Sequence, residues 1–488
     1  MQQGRVSEMC GIVGIALEDV SARAAIPIFY ALYSLQHRGQ ESAGIATVSG
    51  TAGAGSVGGS GEIHLERGMG LVSEVFRENL SKLKGNIGIG HVRYSTTGAS
   101  TLKNAEPLVV DYRDGRIAIA HNGNIVNASQ LRNELKKEGR IFHSETDTEV
   151  LAHIFVKGLM KHNDPISALE EVMRRVIGSY SLTMLVNDTL IAVRDPVGFR
   201  PLCMGFIEGE KDANGVIFAS ESTAIDTLGG ITLRDVRPGE VIIVREGCEY
   251  ESFQFCKATN KAHCVFEYIY FARPDSVLDG RLVYDVRLKI GERLAEEHPV
   301  DADIVSPIPD SGVTFAIGYA KRSSIDYIEA FIKNRYVGRT FIMPEREARE
   351  TAVRLKLNVV RENVASKRVI LVDDSIVRGT TSKRIVERVR RAGAKEVHLR
   401  IGSPPIKAPC YFGIDTPTRE ELIASSHSIN EICSILNADS IGYLSIEGLI
   451  DAIGMPAENL CLGCLTGKYP VEVPGEECIA KQLKLWQF

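Results

Sequence analysis

Residues 368–382, RVILVDDSIVRGTTS, constrain the fold more than any other part of the sequence. Residues 369–372 form a short unbroken apolar run, which is typical of a strand covered on both faces in a parallel sheet. Asp373 and Asp374 follow at its carboxyl end, where open α/β sheets place their ligand crevice. A loop of small and hydroxylated residues then leads into an amphipathic helix, predicted over residues 383–392. The stretch therefore predicts an α/β domain with a ligand site at the edge of its sheet.

The loop and the two acids suit opposite ends of one ligand. Gly379 and the following helix N-terminus favour a phosphate, whereas paired carboxylates favour sugar hydroxyls or a hard cation. VILVDDSIVRGTT resembles the ribose-5-phosphate-binding signature of the type I phosphoribosyltransferases; the alternative is a buried strand that ends in a polar turn. The resemblance implies that this region binds phosphoribosyl pyrophosphate (PRPP) with Mg2+. The residues implied are Asp373, Asp374, Ser375, Val377, Arg378, Gly379, Thr380 and Thr381.

A second informative stretch lies near the N-terminus. Cys10 is followed by Gly-Ile-Val-Gly, which resembles the start of the glutamine amidotransferases of the N-terminal-nucleophile class. In that family the cysteine is the first residue of the mature chain, because its own α-amine activates its thiol. The resemblance therefore implies a propeptide, residues 1–9, cut between Met9 and Cys10. Taken alone, a small buried cysteine at the start of a strand is the simpler interpretation.

Polar motifs follow Cys10 in the order that the amidotransferase family has them. They are QHRGQESAG at 36–44, GHVRYSTTG at 90–98, HNGN at 121–124 and SETDTE at 144–149. The resemblance implies that Asn122 and Gly123 stabilise the tetrahedral intermediate of amide hydrolysis. It further implies that Arg93 clamps the glutamine carboxylate and that Asp147 holds its α-ammonium group. Arg38, which braces the nucleophile's loop, and Thr96 complete the implied glutamine site.

Two more loops of the C-terminal half carry residues of the implied PRPP site. Residues 307–312, PIPDSG, resemble the pyrophosphate loop of the transferases, in which Ser311 also touches the Mg2+. Residues 333–358 are rich in arginine and lysine, which is usual for a solvated surface. In the family this segment is a flap that closes over PRPP.

The cysteines indicate a reducing compartment and metal or thiol chemistry. The chain has ten cysteines, and its N-terminus lacks the apolar core of a secretory signal. Cys461 and Cys464 form a tight pair whose spacing fits zinc, redox exchange or half of an iron–sulfur site. The resemblance to the iron–sulfur branch of these amidotransferases implies Cys264 and Cys410 as partners in a structural [4Fe–4S] cluster.

These observations predict a chain of mixed α+β and α/β class. The length of 488 residues suggests two or three domains. We expect a propeptide at 1–9, an αββα N-terminal-nucleophile glutaminase sandwich at 10–250 and a type I phosphoribosyltransferase parallel-sheet domain at 264–445. A C-terminal segment with cluster cysteines, 446–488, follows. Residues 50–61, almost all glycine, serine and alanine, are expected to form a surface loop without an assigned function.

Nearly the whole chain resembles the glutamine PRPP amidotransferase family, in its iron–sulfur, propeptide-containing branch. That resemblance implies an enzyme that opens purine synthesis, a homotetramer inhibited by purine nucleotides and a cytoplasmic location. The net charge of −5 argues against a nucleic-acid partner. The sequence contains no run of eighteen apolar residues, so it does not suggest a membrane-spanning helix. Two alternatives stay open: the same glutaminase domain on a sugar-isomerase or asparagine-synthetase body, and a non-catalytic regulator that senses PRPP or nucleotides.

Overall fold

The structure is a computed structural model that describes residues 9–49, 62–94, 99–208, 214–255, 261–334, 357–414 and 418–474. Most of the predicted propeptide (1–8), the Gly-rich segment (50–61) and most of the predicted flap (335–356) lie outside the described residues. Among the helices of the described ranges, none is long and apolar enough to cross a membrane.

Two antiparallel sheets form the N-terminal domain in the described residues. The first has the order β11-β9-β10-β1-β4-β2-β3, and the second has the order β13-β12-β8-β7-β6-β5. The strands of the first sheet are β1 (Gly11–Leu17), β2 (Ser42–Val48), β3 (His64–Met69), β4 (Ile87–Arg93), β9 (Cys203–Glu208), β10 (Asn214–Ala219) and β11 (Ile231–Asp235). Those of the second sheet are β5 (Leu108–Tyr112), β6 (Gly115–Ile125), β7 (Gly178–Val186), β8 (Thr189–Arg194), β12 (Glu240–Val244) and β13 (Tyr250–Gln254).

The two sheets pack face to face, with helices on both outer surfaces. Every residue of β1 is buried, because one face of this strand meets the other sheet and the opposite face meets a helix. Ile12, Ile89 and Ala192 contribute to the layer between the sheets. The helices of this domain are α1 (Ala25–Ser34), α2 (Val72–Val75), α3 (Ala128–Lys137), α4 (Asp147–His162), α5 (Pro165–Arg175) and α6 (Ser222–Thr227). The prediction of an αββα sandwich is confirmed.

The C-terminal domain contains a parallel sheet with the order β17-β20-β21-β22. Its strands are β17 (Ile304–Pro307), β20 (Arg368–Asp373), β21 (Glu396–Ile401) and β22 (Ser440–Tyr443). Shorter pairs join β14 (His263–Cys264) to β23 (Leu460–Cys461), β15 (Val277–Leu278) to β16 (Arg281–Leu282), and β18 (Phe331–Lys333) to β19 (Leu357–Val359).

Side chains of β20 alternate between two apolar layers. Val369 and Leu371 belong to one core, and Ile370 and Val372 belong to the other. A strand buried on both faces explains the continuous apolar run at 369–372. The helices around this sheet are α7 (Val283–Glu297), α8 (Val313–Ser323), α9 (Arg361–Val364), α10 (Thr380–Arg391), α11 (Ile423–Ser426), α12 (Ile429–Leu436), α13 (Ile446–Ile453) and α14 (Gly463–Thr466). The predicted parallel-sheet domain is confirmed.

Local boundaries differ from the sequence-based prediction at three places. The helix predicted to begin at residue 383 begins at Thr380, because Gly379, with a φ of +75°, turns the chain directly into it. The polar segment that separates the predicted domains contains β13, an edge strand that pairs with the apolar β12. Farther on, α13 packs against α7 in the core of the C-terminal domain, so the start of segment 446–488 is part of that core.

Candidate active sites

Cys10 immediately precedes β1, the central strand of the first sheet. The residue is buried, with 8% of its surface exposed, and its Sγ lies 3.6 Å from the carbonyl oxygen of Tyr94. Because Gly11 pairs with Val92 in the antiparallel strands β1 and β4, Cys10 lies across from Arg93. Burial raises the pKa of the Cys10 thiol to about 12. The thiol therefore needs a base before it can act as a nucleophile at neutral pH.

Asn122 and Gly123 lie in β6, in the opposite sheet. The side-chain oxygen and nitrogen of Asn122 are buried and have no hydrogen-bond partner among the described residues. At Gly123 φ is +156°, and a Cβ atom would lie 2.0 Å from the carbonyl oxygen of Ser179, so only glycine fits. A buried side-chain amide whose donors have no partner among the described residues has the chemistry that a developing oxyanion requires.

Two charged side chains implied for glutamine binding lie around the same place. Arg93 ends β4 and is 3% exposed, and its Nη1 donates to the carbonyl oxygen of Ala99 at 3.5 Å. Asp147 begins α4, and its Oδ2 accepts a hydrogen bond from the backbone N–H of Ile125 at 2.8 Å. The charge of Arg93 lowers the pKa of the Cys10 thiol, and that of Asp147 raises it. Thr96 lies outside the described residues.

Glu106 is a buried carboxyl group of this site that the sequence analysis missed. Its Oε2 accepts from the backbone N–H of His121 at 2.8 Å, and its Oε1 accepts from Thr148 Oγ1 at 2.6 Å. Burial raises the pKa of Glu106, and its charge in turn raises the pKa of the Cys10 thiol. The sequence signal that could have found it is a glutamate within the otherwise apolar run AEPLVV.

Arg38 lies behind the nucleophile and joins three groups. Its Nε donates to the carbonyl oxygen of Cys10 at 3.0 Å, and its remaining nitrogens bond Glu221 and Glu267. These two glutamates, also missed in the sequence, keep the pKa of Arg38 above its usual range despite its burial. Arg38 thus holds the backbone of Cys10 rather than lying at the surface of the glutamine site.

In the second domain, the paired acids end β20 at the carboxyl edge of the parallel sheet. Asp373 and Asp374 are both buried, and the backbone N–H of Asp374 donates to Asp373 Oδ1 at 3.0 Å. Ser375 Oγ donates to Asp374 Oδ1 at 2.5 Å, whereas Asp374 Oδ2 has no hydrogen-bond partner in the described residues. Asp374 also interacts with the buried Arg287, whose pKa burial lowers to about 10. Asp374 Oδ2 is therefore a hydrogen-bond acceptor without a partner in the described residues, at the carboxyl edge of the sheet.

The loop after the acids runs straight into α10. Ile423 N–H donates to the carbonyl oxygen of Val377 at 2.9 Å, and Arg378 Nη2 donates to Glu421 at 3.0 Å. These contacts fix the loop against the start of α11 and the residues just before it, and Gly379 then turns the chain. The first helical residues, whose N–H groups face the loop, are Thr380 and Thr381.

The implied pyrophosphate loop lies beside these acids. Ile308 N–H donates to the carbonyl oxygen of Val372 at 2.8 Å. A Cβ atom on Gly312 would lie 2.3 Å from that same oxygen, so the loop approaches β20 closely because residue 312 is glycine. Ser311 Oγ is buried and has no partner among the described residues. Ser311 and Asp374 thus present unused oxygen atoms at one edge of the sheet.

Comparison with known proteins covers both domains. A family model described as a glutamine amidotransferase domain matches residues 91–227. The amidophosphoribosyltransferase of Archaeoglobus fulgidus is 56% identical over 473 residues, which cover 96% of this chain and 100% of that protein. The corresponding protein of Methanothermobacter thermautotrophicus is 51% identical and covers 97% of each chain. The chain belongs to the amidophosphoribosyltransferase family.

A solved member of this family has the same fold. The glutamine PRPP amidotransferase of B. subtilis, in complex with ADP and GMP, superimposes with a TM-score of 0.86 at 44% identity, over 95% of this chain and 98% of that one. Matches of this length to amidophosphoribosyltransferases include the part of the chain that would form a sugar-isomerase or asparagine-synthetase body, so that alternative is excluded.

The cysteines implied for a cluster in this family come from separate segments that meet in the fold. Cys264 pairs with Cys461 across the parallel strands β14 and β23. The carbonyl oxygen of Cys464 accepts from two backbone N–H groups shortly before Cys410, at 2.9 and 3.0 Å. Burial, together with the neighbouring cysteines, raises the pKa of Cys264 to about 11 and the pKa values of Cys461 and Cys464 further.

Such a group of thiols suits a soft metal, because a cation removes the mutual repulsion of the thiolates. The residue type, four thiols, is the one that iron–sulfur clusters use. As positioned in the described residues, however, no three cysteine, histidine or carboxylate side chains are arranged to hold a metal ion. The cluster stays a prediction.

Proposed function

We propose that this chain is a glutamine-dependent amidophosphoribosyltransferase. It converts glutamine, PRPP and water into 5-phosphoribosylamine, glutamate and pyrophosphate, the first committed step of purine synthesis. The observation that carries this proposal is the presence of two complementary sites in one chain. One has a buried cysteine and the unpartnered amide of Asn122, and the other has paired acids beside a phosphate loop. The names of relatives that match nearly the whole chain support it.

In the glutamine half-reaction, Cys10 Sγ attacks the side-chain amide carbon. Negative charge develops on the amide oxygen and is stabilised by the Asn122 side chain and the Gly123 N–H. Arg93 and Asp147 hold the carboxylate and the ammonium group of the substrate. The C–N bond breaks and releases ammonia, and water then hydrolyses the thioester to give glutamate and the free thiol.

The base for this attack is the α-amine that Cys10 gains when the chain is cut after Met9. Residues 1–8 lie outside the described residues, and Met9 is buried. Mass spectrometry of the purified protein tests this step. We expect a mature chain that begins at Cys10, and a product that retains Met1 to Met9 would contradict the assignment of the nucleophile.

In the acceptor half-reaction, ammonia displaces pyrophosphate from C1 of the ribose. Asp373 and Asp374 bind the ribose hydroxyls, and the loop from Ser375 to the start of α10 binds the 5-phosphate. Asp374 Oδ2 and Ser311 Oγ have no hydrogen-bond partner among the described residues and suit a hard cation, so these residues would hold Mg2+. When bound, Mg2+ neutralises the charge of the leaving diphosphate. Ammonia is mostly protonated in neutral water, so an enclosed path favours its transfer.

The cysteines Cys264, Cys410, Cys461 and Cys464 are proposed to hold a structural [4Fe–4S] cluster, since neither half-reaction transfers electrons. Their convergence supports the proposal. Anaerobic purification should give a brown protein that contains iron and sulfide. A colourless protein that contains zinc would refute it.

Three further properties remain proposals. Inhibition by purine nucleotides is supported by the B. subtilis relative, which was solved with ADP and GMP. A homotetramer and a cytoplasmic location follow from the family resemblance alone. Most of the flap predicted to close over PRPP lies outside the described residues.

An assay with glutamine and PRPP tests the proposed function. The processed protein should release glutamate and pyrophosphate in equal amounts and form 5-phosphoribosylamine, which can be trapped by a coupled reaction. A non-catalytic sensor is the outcome if glutamine consumption is no faster with PRPP than without it and no pyrophosphate appears.

A further inference from the structure

The second domain reaches the nucleophile through Arg38. This guanidinium donates from Nε to the carbonyl oxygen of Cys10 at 3.0 Å. Its other face forms a two-pronged pair with Glu267, at 3.0 and 2.8 Å. Glu267 begins a π-helical turn of the second domain and is 2% exposed. Glu221 of the first domain also accepts from Arg38, at 2.6 Å. Because paired hydrogen bonds to a carboxylate fix the plane of a guanidinium, Glu267 helps to determine where Arg38 holds the carbonyl of Cys10.

A second contact reaches the strand that carries the oxyanion residues. Ser179, in β7, accepts a hydrogen bond from the backbone N–H of Asn124 at 3.0 Å. The same hydroxyl donates to the carbonyl oxygen of Phe412, in the second domain, at 2.9 Å. Arg200 Nε donates to that carbonyl as well, at 2.9 Å. Ser179 therefore ties the residue after Gly123 to the second domain.

Two further contacts join the end of β6 directly to residues 411–413 of the second domain. Asn124 Nδ2 donates to the carbonyl oxygen of Tyr411 at 2.8 Å. A Cβ atom on Gly413 would lie 2.9 Å from the carbonyl carbon of Gly123, so the two glycines are in direct contact. The segment formed by residues 411–413 thus packs on the end of β6 where the oxyanion would bind.

We propose that the second domain completes the glutaminase centre, with Glu267 and the carbonyl group of Phe412 as its positioning groups. Glu267 orients the backbone of Cys10 through Arg38, and Phe412 orients the oxyanion strand through Ser179. This inference rests on the proposed glutaminase activity of Cys10. The inference separates the contacts of Glu267 and Phe412, which position catalytic groups, from contacts that only hold the two domains together.

The Arg194–Asp279 pair provides the comparison. It also joins the two domains, with distances of 3.1 and 3.2 Å, and Arg194 is fully buried. Neither side chain bonds Cys10, Arg38 or the end of β6 in the described residues. Loss of this pair therefore weakens docking without disturbing the positions of the catalytic groups.

The experiment compares Glu267→Gln with Asp279→Asn in the full processed chain. For Glu267→Gln we expect kcat for glutamine hydrolysis to fall about 10- to 100-fold, since a small displacement of reacting groups costs up to about 100-fold. The KM for glutamine and the activity with ammonia and PRPP should stay within about twofold. Asp279→Asn should keep kcat for glutamine within about twofold.

A second pair of variants covers the case in which Glu267→Gln fails to fold. Ser179→Ala removes the link to Phe412. Ser181→Ala removes a buried hydroxyl of the same strand that donates to Arg200 within the first domain. We expect only Ser179→Ala to lower kcat for glutamine.

Equal losses in both members of either pair, or no loss in Glu267→Gln and Ser179→Ala, would overturn the inference while the proposed function stands. Failure of the wild-type protein with both glutamine and ammonia would instead refute the proposed function.

Discussion

Replacing Asn122 by alanine separates catalysis from stability. The side-chain amide is buried in β6, and neither of its polar atoms has a hydrogen-bond partner in the described residues. In the proposed mechanism the amide is used only when negative charge develops on the substrate. Its removal should therefore raise the barrier of the reaction without breaking an interaction of the folded chain.

The expected loss of activity is large. Removal of one oxyanion donor typically lowers kcat by about 10²- to 10³-fold, which corresponds to about 2.7–4 kcal/mol of transition-state stabilisation. Because Arg93 and Asp147 are untouched, the KM for glutamine should change little. The second site is unaffected, so the rate with ammonia and PRPP should match that of the wild type.

The expected change in stability is small. A buried polar group without a partner costs about 1–3 kcal/mol, and truncation removes that cost. The volume left by the side chain opposes this gain through lost contacts of similar size. We expect the free energy of unfolding to change by no more than about 1 kcal/mol.

Two measurements decide the prediction: steady-state glutaminase kinetics in the presence of PRPP, and chemical unfolding of the same samples. A variant that keeps kcat within threefold would refute the role of Asn122. A variant destabilised by about 3 kcal/mol or more would show that the amide has a structural partner, and the reasoning from its unpaired atoms would then fail.

Three further predictions concern the two sites. Cys10→Ala should abolish glutamine use and retain synthesis with high ammonia; loss of both activities would mean that the sites are not separable. Asp374→Asn should lower pyrophosphate release with ammonia by about 100-fold or more, because an anionic ligand of PRPP and Mg2+ is lost. Calorimetry should show that PRPP binds more weakly to this variant. Unchanged PRPP binding would contradict the assignment. Glu106→Gln should shift the pH midpoint of Cys10 alkylation by iodoacetamide to lower pH, because the negative charge of Glu106 raises the pKa of the Cys10 thiol. A pH midpoint that stays the same or rises would show that this charge does not act on Cys10.

The sequence predicts best what is determined locally. The unit formed by β20, the paired acids and α10 follows from an apolar run, a turn glycine and helical periodicity within a few residues of one another. The sandwich follows from motifs whose order matches a known family. The same reasoning did not find β13, because an edge strand with one exposed face has too few apolar residues to stand out from a linker.

Residues whose role depends on distant partners were also missed. Glu267 looks like an ordinary polar residue in the sequence FEYIYF. Its importance appears only when the fold brings it to Arg38, 229 positions away. The same holds for Glu221, which is fully buried because it meets Arg38 and His37. A local sequence pattern cannot predict such ion pairs, since neither segment contains any feature that indicates its distant partner.

The burial of Met9 has a consequence for the proposed cleavage of the chain after this residue. This side chain has no exposed surface, packs in the core of the second domain and places its sulfur 2.8 Å from Arg200 Nη1. In the folded chain the peptide bond next to this buried side chain cannot enter the cleft of a separate protease, so the proposed cut after Met9 requires either an unfolded N-terminal segment or groups of the chain itself. In the proposed maturation, loss of Met9 empties a methionine-sized volume in the core of the second domain. By analogy with truncation of core methionines, about 2–5 kcal/mol of stability is lost unless neighbouring side chains refill it. In the proposed maturation, the amine of Cys10 therefore forms beside the volume that Met9 leaves, and the precursor is expected to be the more stable form of the protein.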